Sequence, residues 1–597
     1  MHKKIDKANR VTFPQQIICF DTEANIHLTE RGQLHTYKMG CASLIARLPG
    51  NLYTEPEYYF FDDPDQIIQW ITAKAKPNIN TWVIAHNVFY DLQLTGFFHY
   101  WTENGWIRDF WYEKGLTYIL KITKGNKSLT CISSTNYFPF ALGSLGKLLN
   151  LPKLDVDFDS SSWEDLKVYC QRDTEILTRT MINYIQFVRE NNLGKLSMTQ
   201  ASQAFNAFRH RFICNPILLH DNPDVYSMEQ AAYMGGRVEC FQVGKIKQKP
   251  VYTLDVNSMY PFVMSNQEYP VELVRYNKEP DPETVKMFLG EFLITAKITV
   301  NTEEPCYSLR HEGKLIFPIG TFDCYVQTRG LQYAMQNGHL VKIHEIAYYR
   351  KEYIFKDYVA FFYDLKQKAS EENNRIMRHN AKLFLNALYG KFAQEILIEE
   401  GLNTEITDKY IRFVYTDLDE QRTYTVTNLL NKITMSWGEK KPDKTMISIA
   451  SHVTENARFH LWELIKTAGR ENVFYCDTDC VKVNQSGFDN LQHLIDDSKL
   501  GFLGLENTAD NVIIFGCKDY IEDKQVKCKG IPKSAKKIDD NTYLYQSFLR
   551  QIGHLQKKQD TGVILHDVIK RLNRKYDKGN VDKKGKVTPF ELPWTIG

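Results

Sequence analysis

A chain of 597 residues, 43% hydrophobic and 24% charged, is too long for one hydrophobic core and calls for roughly three or four domains. No run of about 18 apolar residues occurs, and no charged segment leads into an apolar stretch with a small-residue cleavage site, so membrane insertion and secretion are not indicated. The formal charge of +2 hides a gradient: Lys518 to Gly597 holds 18 Lys and Arg against 10 Asp and Glu, giving +8 there and −6 before it, as expected of an end that grips a phosphate backbone. The 12 cysteines are scattered without a CxxC pair or zinc spacing, which predicts free thiols in a reducing compartment.

Up to about residue 185, strand-like runs at Gln16 to Phe20, Thr81 to Ala85 and Leu129 to Ile132 alternate with helical patterns and predict an α/β domain. Asp21-Thr22-Glu23 follows the first run, and in an extended chain Asp21 and Glu23 face the same side. Asn87-Val88-Phe89-Tyr90-Asp91 comes next, and then Tyr169 and Asp173, one helical turn apart. Four acids and a tyrosine make a metal-assisted hydrolytic site, with Tyr169 placed to orient water. From about Met181 to Ala232 the pattern is helical and amphipathic, with a domain boundary expected at Met181 to Asn192.

The strand Pro250 to Leu254 opens a second region and delivers Asp255 at its end. Tyr358 to Gln394 predicts two helices broken around Glu371 to Asn374. Within a helix expected from Arg378 to Phe392, Arg378, Lys382, Asn386 and Tyr389 recur at intervals of four, four and three and share a face. That face offers two cations for triphosphate oxygens, and an amide and a ring for a base and sugar. Glu395 to Lys444 predicts a small β-rich insertion. In Val473 to Val483, Asp477-Thr478-Asp479 joins two β-prone runs, so two carboxylates converge on a hairpin tip. Alone, Asp-x-Asp is also the mark of a polar turn. With Asp255 it becomes an acid cluster that suits Mg²⁺, as two-metal phosphoryl transfer requires.

The segments Asp255-Val256-Asn257-Ser258-Met259-Tyr260-Pro261, Lys382 to Gly390 and Tyr475-Cys476-Asp477-Thr478-Asp479 resemble motifs A, B and C of family B DNA polymerases, in the same order and spacing. The resemblance implies Asp255 and Asp479 as principal metal ligands, Asp477 in support and Val256 contributing its carbonyl. Tyr260 becomes the steric gate that selects deoxyribose. Thr478 and the pair Lys518 and Tyr520, which resembles the KxY motif, become DNA contacts. Cys480 departs from the small polar residue expected after motif C.

Upstream, the acids resemble the Exo I, Exo II and Exo III motifs of proofreading exonucleases. Asp21, Glu23, Asp91 and Asp173 are implied as metal ligands, Tyr169 and Lys153 as catalytic helpers, and Thr22, Asn87 and Tyr90 as contacts to a single-stranded 3′ end. Ser134-Thr135-Asn136 stands where relatives carry a Ser-Leu pair. Tyr233, Gly235 and Gly236, in Tyr233-Met234-Gly235-Gly236-Arg237, resemble the YxGG motif, which handles the template.

The short chain and its two insertions resemble the protein-primed branch of phages, adenoviruses and linear plasmids. The fold class implied is α/β and α+β multidomain: an RNase H-like 3′-5′ exonuclease domain over 1–185, then a right-hand polymerase. Its parts are a linker and start of palm (186–260), a first terminal-protein-region-like insertion with palm (261–358), fingers (359–394), a second insertion (395–445), palm (446–530) and thumb (531–597). Implied cofactors are two Mg²⁺ or Mn²⁺ ions per centre. Implied partners are primer-template DNA, dNTPs and a terminal protein primer, for a monomer in the cytoplasm, the host's if viral. Three alternatives share parts of this pattern: a primer-independent or RNA-primed family B polymerase, a DNA-binding scaffold without chemistry, and a reverse transcriptase. The complete set of motif acids counts against the scaffold, and Thr478 between the two aspartates counts against the reverse transcriptase.

Overall fold

The computed structural model describes residues 3–158, 160–402, 404, 412–440 and 442–593. Ile17, Ile18, Cys19 and Phe20 are all buried, as expected of a strand covered on both faces. They lie in β1 (Gln16–Thr29), which pairs antiparallel with β2 (Gly32–Ala46) and parallel with β3 (Asn80–Ala85). After β3 comes α1 (Val88–Thr95), and β4 (Lys127–Ser133) runs parallel to β3 on its other side. A capping box between Ser162 and Asp165 starts α2 (Trp163–Glu190), which packs on β1 and β2. The domain end placed at residue 185 falls inside this helix, and the expected boundary range, Met181 to Asn192, includes the helix end. Its buried face continues unbroken through Met181, Tyr184, Ile185 and Val188, so the helix ends only at Asn191.

The second region is built on an antiparallel sheet of β5 (Val238–Cys240), β6 (Val251–Val256), β7 (Val473–Asp477), β8 (Cys480–Val483) and β9 (Leu503–Ala509), in the order β5-β7-β8-β6-β9. Among the helices before β7 are α3 (Arg375–Ala387), which follows the helix Lys356–Glu371 and is capped by Asn374, and the largely buried α4 (Ile447–Ala468). The expected break before α3 is present, but the expected extension of α3 to Phe392 is not. Residues Tyr389–Ala393 tighten into a 3₁₀ turn that brings Phe392 against the rings of Phe205, Phe208 and Phe355. Tyr389 therefore lies in this turn, just beyond the end of α3, which carries Arg378, Lys382 and Asn386. The first insertion is a mainly antiparallel sheet, and the second is a four-stranded sheet that matches the β-rich expectation.

Near the C-terminus, β10 (Thr542–Phe548) and β11 (Val563–Arg571) form a hairpin. It does not stand apart: β11 pairs with β2 from Gly32↔His566 to His35↔Val563, extending the N-terminal sheet to ten strands. Gly32 permits this approach. At φ +146°, a Cβ there would lie 2.0 Å from the Leu565 carbonyl oxygen. Among the described residues, no helix is long and apolar enough to cross a membrane.

Candidate active sites

The first site forms where β1, α1 and α2 meet. The ligand atoms of Asp21, Glu23 and Cys170 all lie within 4.8 Å of one another. The Thr22 hydroxyl donates to Asp91 Oδ1 at 2.7 Å, drawing α1 onto β1. Asp173, on α2, pairs with Lys153, whose ammonium also sits 4.8 Å from the centre of the Tyr169 ring. All six residues expected to do chemistry here are thus brought together. Burial, reinforced by the neighbouring acids, holds Asp21 well above the usual carboxylate range and raises Glu23 to about 8. Burial likewise raises Asp91 to about 7, against the Thr22 hydrogen bond, and raises Asp173, against Lys153.

Asp173 Oδ1 is buried with no hydrogen-bond partner. Crowded oxygen donors, one of them orphaned, fit a divalent cation. Asn87 stands at the start of α1 and Tyr90 in its first turn, where the Tyr90 hydroxyl meets His35 Nδ1 at 2.8 Å. The side chains of Ser134, Thr135 and Asn136 are engaged internally, with His86, with the Leu116 carbonyl, and with the Tyr118 and Met198 carbonyls.

In the second site, Asp255 of β6 lies opposite Cys480 of β8, and the Val256 amide donates to the Asp479 carbonyl at 2.8 Å. Thr478, at φ +62°, makes the sharp turn, and its amide is held by the Arg237 carbonyl at 2.7 Å. Burial, then Asp479, Glu506 and Asp477, raise Asp255 to about 7, while Lys382 opposes the shift. Burial also raises Asp479, with Asp477 and Glu506 adding to it and Lys518 opposing. Asp477 is differently placed: Lys518 Nζ lies 3.2 Å away, and the Tyr475 hydroxyl donates to it at 3.2 Å. Asp477 is thus already paired with a cation and a hydroxyl.

Around these acids, Tyr260 and Tyr389 stack at 4.4 Å. Arg378, Lys382 and Asn386 are exposed along α3. The buried Arg458 donates to the carbonyls of Met234 and Gly235 at 2.8 and 2.9 Å, fixing the loop that begins at Tyr233. Gly236 is pressed against the turn, since a Cβ there would meet Thr478 at 2.9 Å and the Tyr260 hydroxyl at 3.2 Å. Tyr520 is largely buried, edge-on to Tyr475 and over Lys482, which is itself paired with Glu522 at 2.5 Å.

Two contributors escaped the sequence reading. Glu506 reaches the acids from a β-bulge in β9, where the register with β6 shifts, and a lone glutamate in a strand carries no local signal of this. Arg458 carries no local signal either; only its tertiary partners reveal it. A cavity of about 1460 Å³ lies beside α3, lined among others by Tyr112, Lys114, Lys195, Lys382, Asn386 and Lys391.

Residues 154–470, more than half of the chain, match the family described as DNA polymerase type B, organellar and viral. The chain belongs to this family. A type B relative, a DNA polymerase of Kluyveromyces lactis, is 25% identical over 412 residues, 63% of this chain but 38% of that protein. The chain therefore spans well under half the length of that relative. The DNA polymerase of Bacillus phage M2 is 21% identical over 521 residues, 80% of this chain and 83% of its own. A solved structure of Phi29 DNA polymerase complexed with primer-template DNA superposes with a TM-score of 0.65 at 16% identity, covering 94% of this chain and all of the other. The fold expectation is met: an RNase H-like domain joined to a right-hand polymerase fold.

Proposed function

We propose that this type B chain is a template-directed DNA polymerase with a 3′-5′ proofreading exonuclease, acting on primer-template DNA and dNTPs. The observation that carries the reading is the convergence of Asp255, at the end of β6, and Asp479, in the β7–β8 turn, with Lys382 of α3 close enough to act on Asp255. Asp255, Asp479 and the Val256 carbonyl would hold Mg²⁺ in one centre, and Asp21, Glu23, Asp91 and Asp173 in the other, two ions in each. Bound there, the cations supply Lewis acidity to the attacking hydroxyl or water and charge neutralisation to the leaving oxygen.

The protein's own groups do the rest. Arg378 and Lys382 bind triphosphate oxygens, and Asn386 and Tyr389 receive the base and sugar. Tyr260, held against Tyr389 and the Gly236 loop, closes the space a 2′ hydroxyl would need. Lys518 is anchored by its amide on the Tyr475 hydroxyl at 3.0 Å and presents its ammonium beside Asp477, where a primer end would lie. The basic and aromatic cavity beside α3 suits a single-stranded template. In the exonuclease, Asn87, Tyr90 and Thr22 grip the 3′ end, Tyr169 orients water, and Lys153 holds Asp173 and Tyr169 in place.

Priming from a terminal protein is the mode we assign, on the similarity to phage polymerases and the two insertions. The decisive experiment is primer extension and single-strand degradation with Mg²⁺. Asp255→Ala or Asp479→Ala should abolish incorporation and spare degradation, and Asp21→Ala with Glu23→Ala should do the reverse. Loss of both activities from either set, in a folded protein, would refute two separate centres.

A further inference from the structure

Tyr90 and Asp91 share the first turn of α1, so whatever fixes α1 also fixes the grip on a 3′ end. One tie is the Thr22–Asp91 bond already described. A second comes from the C-terminal hairpin: Gln93 donates to the carbonyls of Gln559 and Gly562 at 2.9 and 3.2 Å, and the Gly562 amide donates to the Leu94 carbonyl. A third passes through His35, which belongs to the β2 segment that pairs with β11.

Gln33 and His35 lie on one face of β2, two residues apart. The His35 ring is bound at both nitrogens, with Nε2 3.1 Å from Gln33 Oε1 and Nδ1 2.8 Å from the Tyr90 hydroxyl. An amide oxygen only accepts, so Nε2 carries the proton and Nδ1 is the acceptor. The Tyr90 hydroxyl therefore donates to His35, and its oxygen is held at one point with its lone pairs turned outward. The two rings meet edge to face, 6.0 Å apart at 82°, which fixes the tyrosine plane as well. Burial lowers the pKa of His35, consistent with a neutral ring.

We propose that His35 is a positioning residue of the exonuclease, aiming the Tyr90 hydroxyl from a strand that the C-terminal hairpin holds in register. The inference rests on the exonuclease reading above. Two features tie it to the tertiary structure. The His35↔Val563 pairing sets the backbone of His35, and a Cβ added at Gly562 would meet the His35 carbonyl at 2.9 Å, so hairpin and strand are in close contact there.

The test is steady-state degradation of a single-stranded oligonucleotide with Mg²⁺, resolved into kcat and KM, for the parent chain, His35→Ala, His35→Asn, Tyr90→Phe and His35→Ala/Tyr90→Phe. Loss of one hydrogen bond that orients a binding group should raise KM about three- to tenfold in His35→Ala, leaving kcat within about twofold. Asn places an amide oxygen near the position of Nδ1, so His35→Asn should return KM to within about twofold of the parent. In the Tyr90→Phe background, His35→Ala should add almost nothing, because the hydroxyl it aims is already gone. Multiplying effects in the double variant, an unchanged KM in His35→Ala, or a loss confined to kcat would each overturn the assignment. Should His35→Ala fail to fold, the KM of His35→Asn against that of Tyr90→Phe decides: parent-like for the first and raised for the second supports it, and equal values overturn it. A parent without single-strand degradation would overturn the exonuclease reading itself, whereas an active parent indifferent to His35 would overturn only this role.

Discussion

Gly236→Ala tests whether the loop after Tyr233 is part of the polymerase centre or merely adjacent to it. A Cβ at this position would stand 2.9 Å from both Cγ2 and Oγ1 of Thr478 and 3.2 Å from the Tyr260 hydroxyl. Neither neighbour yields freely: the Thr478 amide is tied to the Arg237 carbonyl, and Tyr260 is stacked on Tyr389. Overpacking of this kind costs about 1–3 kcal/mol. Strain delivered to the Asp477-Thr478-Asp479 turn converts at about 1.4 kcal/mol per tenfold of rate, so kcat/KM for incorporation should fall roughly ten- to hundredfold. Gly235 offers an internal control, because a Cβ there meets nothing within 4 Å. Single-nucleotide incorporation should therefore fall in Gly236→Ala while single-strand degradation stays near the parent value, and Gly235→Ala should melt like the parent. Full incorporation by Gly236→Ala, or equal thermal destabilisation by both variants, would refute the contact argument.

Three further outcomes follow from the same geometry. Lys482→Met leaves Glu522 buried without its cation and should destabilise the fold by about 3–5 kcal/mol, with Lys482→Met/Glu522→Leu recovering much of this in denaturant titrations. Arg574→Ala removes a bidentate grip on Asp519, at 2.9 and 3.1 Å, and frees the turn between Lys518 and Tyr520; primer-template binding should weaken several-fold, and Asp519→Asn should add little to it. Mg²⁺ should raise the unfolding midpoint by neutralising the crowded acids, a stabilisation of about 2.7 kcal/mol per bound ion at one hundred times Kd. Chelation should reverse this, and Asp21→Ala/Glu23→Ala should lose part of the effect.

Local chemistry was legible in the chain. Asp21 and Glu23 sit two residues apart on a strand, Asp477 and Asp479 flank a turn, and Arg378, Lys382 and Asn386 recur at helical spacing; each relation lies within a few residues, where backbone periodicity alone decides which side chains share a face. The break before α3, the β-rich second insertion and the metal-ready acids were readable for the same reason. Other features depend on which strand lies beside which, and no local period encodes that. Packing took Tyr389 off the helix and carried α2 past residue 185. The bulge in β9 brought Glu506 toward Asp255, and the pairing of β2 with β11 made the C-terminal hairpin a wall of the N-terminal sheet. The sequence by itself determined which motif carboxylates and α3 cations are available, whereas Glu506 and Arg458 join them only through packing. Only the tertiary structure decided how they are held, because long-range pairing and burial set the distances and the missing solvent that make those groups act together.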